Sequence, residues 1–441
     1  MNAGVLRMLM RPAPGSLGVI AIPAVAFGIV TALVLTVLGG AQSFWTWDDD
    51  YGYLYKVLAS VALVLLIVPL MTLGGAAARL SARRRDERLS TLRLLGVTPA
   101  GVSFATVVES ALIAAVGAVA GILLYFAITP LIGLIPFRGA PLGVLAVILP
   151  AWQILAVLGG VILLAVLSAV IGLRRVNISP LGVRMRSDAP RMGVLRAVIV
   201  AVAVAAAFVA IKVLPSIAGA LFVTVGIAAV FAIVLGLLNL IGPWVLGVRA
   251  RRQLRRAETP ERMLAARMVL DAPKAAWRQV SGIAMASFMA VFAGTGVALM
   301  DVMSTGDVRA EDLALVTDMR TGLIITLIGS FIMVAASVGV NQASAIADQR
   351  ELHASLHRLG VPMETVDAAR TRAIMSPLML TAIGSALCAA IMILPLLGLT
   401  MIVAPLSLVT ILAVLAVGIL TVWAATRVTR PLLAKSFTLA A

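Results

Sequence analysis

The stretch "LSARRRDERLSTLRLLGVTP", Leu80 to Pro99, decides how this chain is read. It lies between two long apolar runs and opens with Arg83, Arg84, Arg85, Asp86, Glu87 and Arg88. Then an apolar stripe emerges: Leu89, Leu92 and Leu95 recur at i, i+3 and i+6, the spacing of one helix face. Gly96 and Pro99 follow, the glycine-then-proline signal that stops a helix. Glu87 stands early, where a negative charge suits the helix dipole. The spacing predicts an amphipathic helix over 83–95.

Around this helix the chain is apolar. Of its 441 residues, 62% are hydrophobic and the mean hydropathy is +1.10. Soluble domains sit near roughly 45–50% apolar, so this is a polytopic membrane protein. A span needs about 20 apolar residues. Ten runs qualify: 17–39, 57–78, 105–132, 150–173, 194–214, 217–247, 280–301, 321–343, 374–396 and 403–424. Pro69 and Gly74-Gly75 are expected to bend the second run, and Gly242-Pro243 to tilt or break the sixth. The first run is too long in its apolar core for a cleaved signal peptide.

Charge orients the spans. With the N-terminus cytoplasmic, only Lys56, Arg138, Lys212, Arg309 and Arg320 of the 35 basic residues lie outside. The same outer loops hold Asp48, Asp49, Asp50, Asp301, Asp307, Glu311, Asp312 and Asp318. This is the positive-inside pattern, with both termini cytoplasmic. The net charge of +16 therefore reports topology and contact with anionic membrane lipids, not nucleic acid.

A repeat is visible at a shift of 264 residues. "ERLSTLRLLGV" (Glu87–Val97) falls on "ELHASLHRLGV" (Glu351–Val361). "RMLMR" (Arg7–Arg11) resembles "RMVLD" (Arg267–Asp271), and "RVNISPL" (Arg175–Leu181) resembles "RVTRPL" (Arg427–Leu432) with one gap. The domain layout is thus 1–186, a first four-span unit; 187–256, two linking spans; and 257–441, a second four-span unit. Six crossings separate the unit starts, so the repeats are parallel, unlike the inverted repeats of many secondary transporters. In the second unit Leu352, Leu356 and Leu359 make the stripe, Gly360 ends it and Pro362 follows. The second copy is far less basic than the first. Lipid attraction selects charge, yet the copies share an acid (Glu87, Glu351), the leucines and a glycine (Gly96, Gly360), which suits docking into a protein groove.

"ARRRDERLSTLRLLGVTP", followed by a span with "VVESALIAAVGAVAGILL", resembles the FtsX-like permease domain of MacB-type ABC transporters. The resemblance covers Ala78 to about Leu181, and 262–435 more weakly. The linking spans resemble those of the ten-span, BceB-like permeases. In both copies the acid stands nine residues before the glycine, where the family often has eight. The resemblance implies that the two charged helices couple to a separate cytoplasmic ABC ATPase, two copies per chain, which binds ATP and Mg. It also implies an amphiphilic substrate (peptide, lipid or antibiotic), export or extraction, and the bacterial cytoplasmic membrane. The alternative is a mechanotransmitter that passes ATP turnover to an extracytoplasmic partner or sensor kinase.

The chain itself has no nucleotide site. Lys56, Lys212, Lys274 and Lys435 are its only lysines, and none follows a glycine as a phosphate-binding loop requires. No catalytic or metal residues are expected; His353 and His357 stand at i, i+4 but lack a third histidine. Glu109, early in the third span, is an ionisable intramembrane group: a snorkelling acid or part of a substrate path. In the outer loop "FWTWDDDYGYLYK" (Phe44–Lys56), Trp45, Trp47, Asp48, Asp49 and Asp50 form either an interfacial aromatic belt or a lip for a cationic amphiphile or partner. Gly117 to Gly121 suits close helix packing.

Overall fold

In a computed structural model, residues 17–94, 99–178, 220–303, 310–349, 352, 355–356, 358–431 and 433–434 are described. The chain is an all-α polytopic membrane protein. Among the described residues its bounded helices are α1 (Leu17–Gln42), α2 (Asp50–Leu94), α3 (Pro99–Gly133), the short α4 (Val144–Val147), α5 (Ala151–Ile178), α6 (Ala220–Arg255), α7 (Pro260–Asp271), α8 (Pro273–Met303), α9 (Ala310–Asp348), α10 (Met363–Met392), α11 (Leu394–Val403) and α12 (Pro405–Val428). Among the described residues seven helices are long and apolar enough to cross a bilayer, or eight if the bent α2 counts as one span. The expected span 194–214 lies outside the described residues.

The chain divides into two compact units, one of residues 1–186 with 336–348, the other of 187–335 with 349–441. In the first, α1 packs chiefly on α3, with α2 and α5 completing the group. Small residues let the backbones approach: a Cβ on Gly117 or Gly121 would run into the Ala24 or Gly28 carbonyl of α1. Lipid supplies no hydrophobic drive between helices, so van der Waals contact across such small-residue seams holds them. The core is accordingly rich in alanine: Ala26, Ala76, Ala77, Ala114, Ala118 and Ala165 surround Phe27, Val30 and Leu73. Large leucines instead face outward, as Leu155, Leu163 and Leu167 do on α5.

In the second unit α8 packs chiefly on α10, and α7 lies against α6 and α10. The starts of α3 and α10, Pro99 and Met363, are 264 residues apart, the offset read from the sequence repeat. Phe288 of α8 is buried against Ala389, Met392 and Ile393. α6 does not break at Gly242-Pro243; it runs through to Arg255. Gly242 leaves the room that the Trp277 ring of α8 occupies, and Trp277 Nε1 donates to Asn239 Oδ1 at 2.6 Å.

α2 differs most from expectation. The second span and the charged helix are not separate: one helix of 45 residues runs from Asp50 to Leu94. At roughly 1.5 Å per residue that is about 67 Å, more than twice the ~30 Å hydrocarbon core. It bends by 41° between Leu66 and Pro69. Proline lacks the N–H for the i−4 bond and its ring displaces that carbonyl, which accounts for the elbow.

Candidate functional site

The candidates on the two charged helices fall in two places. Glu87, Leu89 and Leu92 lie on the last turns of α2, with no break between them and the span. Leu95 and Gly96 lie outside the described residues. In the second copy α9 stops at Asp348 and Gln349 is a turn, so this segment is set off from its span. Leu352, Leu356 and Arg358 are helical; Glu351, His353 and His357 lie outside the described residues. Gly360 takes φ +78°, a left-handed conformation that glycine adopts without steric cost. Val361 N–H donates to the Leu356 carbonyl at 3.0 Å, and Leu359 N–H to the Ser355 carbonyl at 3.1 Å. The first is the six-to-one bond of a Schellman stop, in which glycine holds the position after the cap. Along the stripe, Leu352 is 52% and Leu359 78% exposed, and Leu356 is half-buried.

The outer loop folds into a cap. A 3₁₀ turn, Ser43–Thr46, leads from α1 toward α2. Phe44 packs edge-on against Trp47 and Phe137, with ring centroids 5.2 and 5.0 Å away, and stacks on Tyr55 at 5.9 Å. Trp47 meets Tyr55 edge-on at 4.9 Å. Into this group reaches Arg138 from the hairpin β1 (Pro136–Phe137) and β2 (Ala140–Pro141). Its guanidinium carbon lies 4.2 Å from the Trp47 centroid and 4.9 Å from that of Tyr55, within cation–π range. Arg138 (φ +52°) and Gly139 (φ +76°) make the two-residue turn with both residues left-handed, whose twist matches a hairpin. Among the described residues Arg138 is the one non-glycine with positive φ, a conformation that costs a side-chain-bearing residue energy.

Two aspartates of this loop, Asp48 and Asp49, have partners within the chain. Asp49 Oδ1 accepts from Arg138 Nη2 at 3.0 Å and from Gly52 N–H at 3.1 Å. The second bond makes Asp49 the N-cap of α2, satisfying one of the donors a helix start leaves open. The Arg138 hydrogen bond holds the Asp49 carboxyl below its ordinary value of 3.8. Asp48 pairs with Lys56 at 3.0 Å, an exposed pair of little energetic weight. Nothing is described of the Asp50 side chain. Trp47 turns inward, whereas Trp45 and Tyr53 are 46% and 73% exposed.

Glu109 sits on α3, two residues inside its apolar stretch Val107–Gly133, half-buried beside the fully buried Ser110. The sequence reading missed Tyr125, also on α3. Its hydroxyl donates to the Val147 carbonyl at 2.8 Å and accepts from Leu149 N–H at 2.9 Å, all three residues being buried. A lone tyrosine inside a span was the available signal, since a buried phenol needs a partner.

Residues 57–180 match the family model described as FtsX-like permease C-terminal. The match runs from the start of α2 to the end of α5. No curated protein and no solved structure matches the chain.

Proposed function

We propose, from the match of residues 57–180 to the FtsX-like permease C-terminal model, that this chain is the permease subunit of an ATP-driven transporter of the MacB-type ABC family. Members of that family generally pair with a cytoplasmic ABC ATPase. In this reading ATP and Mg bind on that separate subunit, two copies per chain, and the charged helices ending at Gly96 and Gly360 dock into it. The spans number ten, in two parallel units joined by two linking spans, in the bacterial cytoplasmic membrane. The substrate is an amphiphile (peptide, lipid or antibiotic), exported or extracted, with Glu109 lining or flanking its path. Trp45 and Tyr53 are the aromatics of the outer cap that remain exposed to meet it. The observation that carries the reading is the family match over the segment that contains the first charged helix.

The test is ATP hydrolysis by a cytoplasmic ABC ATPase that co-purifies with the chain, reconstituted with it and challenged with cationic, anionic and zwitterionic amphiphiles. Stimulation by one class supports transport. No effect of the chain on hydrolysis, with or without amphiphile, rules the permease reading out. A second reading is mechanotransmission, favoured by α2, which joins the outer cap to the charged cytoplasmic end without interruption. Stimulation by an extracytoplasmic protein instead of an amphiphile selects it.

A further inference from the structure

At the cytoplasmic end of α12, three arginines converge on one carboxylate. Asp367 of α10 is 5% exposed. Its Oδ1 lies 3.9 Å from Arg370 Nη1, and its Oδ2 lies 3.7 Å from Arg427 Nη1 and 3.5 Å from Arg430 Nε. Arg370, also 5% exposed, donates through Nη2 to Thr429 Oγ1 at 3.0 Å, which ties the cluster to the end of α12. Guanidinium groups stay protonated at any relevant pH, so the four groups carry a surplus of two positive charges. Burial fixes Asp367 and Arg370. Arg427 and Arg430 instead hold their side chains 46% and 47% exposed. Their separations from Asp367 exceed the ordinary N–H···O range, so these are ion pairs that leave much of each donor fork facing outward.

Two simpler accounts fall short. A helix C-terminus favours a nearby cation, but Arg427 alone satisfies that, and it needs no buried acid. Nor does the fold demand the cluster. At the positions 264 residues earlier stand Ser103 and Thr106, in place of Asp367 and Arg370, and the segment resembling 427–432 carries Arg175 with Ser179 opposite Arg430. The Arg427 guanidinium also lies 5.1 Å over the ring of Trp423, itself 41% exposed. Tryptophan belongs at the headgroup level of a bilayer. Positive-inside orientation puts this end of α12 at the cytoplasmic leaflet, where anionic lipids concentrate.

We propose that Arg427 and Arg430, aimed by Asp367 and backed by Arg370, form a specific site for the phosphate of an anionic phospholipid headgroup, with Trp423 beneath it. Planar guanidinium forks suit phosphate oxygens in the bidentate manner. The full chain, purified in neutral detergent, tests this by native mass spectrometry titrated with phosphatidylglycerol. Phosphatidylcholine, inorganic phosphate and the variants Arg427→Gln, Arg430→Gln and the double form complete the set. Phosphatidylglycerol should be retained in preference to phosphatidylcholine, with about a fivefold loss of affinity for each arginine removed. Arg427→Lys should bind intermediately, since it keeps the charge and loses the fork, and this separates a site effect from misfolding. The control Arg267→Gln, an exposed cytoplasmic arginine on α7, should bind as the unaltered chain does. Equal loss in Arg267→Gln shows diffuse attraction and overturns the site. So does undiminished retention in the double variant. Displacement of phosphatidylglycerol by millimolar inorganic phosphate shows a free-anion site and overturns the lipid assignment.

Discussion

Asp49 accepts from the α2 backbone and from an arginine 89 residues further along the chain. Its two hydrogen bonds answer different questions, and only one was legible in the sequence. An aspartate three residues before a glycine at a helix start is a visible cap. That Arg138 would fill the space between Trp47 and Tyr55 was not, because a two-residue hairpin brings it there. Of the aspartates offered for an external cation, Asp48 and Asp49 each pair with a cation of the chain, Lys56 and Arg138. Linkage gives the pH sense. The Asp49 carboxyl is depressed below 3.8 in the folded chain. Its contribution is therefore fully present above about pH 4 and is lost as pH falls through the folded value. The melting temperature of the unaltered chain should exceed that of Arg138→Gln by a constant increment from pH 8 to 5. Below pH 4 the difference should narrow to the part that the Trp47 and Tyr55 contacts of Arg138 supply. Narrowing already at pH 6 would point to another titrating group. Tyr125 gives a second check. Tyr125→Phe strands the buried Val147 carbonyl and Leu149 N–H, which should cost about 2 kcal/mol, judged from unsatisfied buried groups. Thermal unfolding in detergent measures it, and an unchanged melting point would mean that water reaches the loop.

At the scale of elements, periodicity and stop signals were sound guides and continuity was not. The glycine stop of the second charged helix is built at Gly360 as its position implied, and Gly117 and Gly121 do line a close helix seam. The charged helix 83–95, however, is the end of a longer one. A signal for this existed: from Ala76 to Leu95 there is neither glycine nor proline. Hydropathy draws its boundary where the membrane ends, and a helix need not stop there. In the second copy the helix does stop, at Asp348. What the copies share is the leucine stripe, and a prediction follows for docking. Leu92→Asp and Leu356→Asp should each abolish capture of the ATPase in a pull-down, while Arg83, Arg84 and Arg85→Ala together should leave it intact. The reverse pattern would make the basic cluster, and hence the lipid surface, the true anchor of this segment.

For the molecule as a whole, the class of polytopic helical membrane protein was plain from composition, because long apolar runs are a one-dimensional property. Which residues meet inside was not. Alanines are prominent in the core and many leucines face outward, so hydrophobicity, the usual guide to burial, separates inside from outside poorly. The cluster at Asp367 was invisible for the same reason: its members lie up to 63 positions apart and look like ordinary loop charges. On the permease reading proposed above, two charged helices in one chain would act as a pseudo-dimer. Native mass spectrometry of the co-purified complex should therefore give one permease chain to two ATPases; two permease chains to two ATPases would mean that each chain offers a single working dock. The bent α2 has a mechanical consequence. From the elbow at Pro69 the outer arm, to Asp50, measures about 28 Å and the inner arm, to Leu94, about 38 Å at helical rise. A rigid bar of this form is a bell crank. A turn of about 10° at the elbow carries the inner tip roughly 7 Å and the outer tip roughly 5 Å, along directions that differ by the angle of the bend. A displacement of the Leu94 tip would thus reach the Asp50 tip redirected and reduced, and one in the reverse sense enlarged.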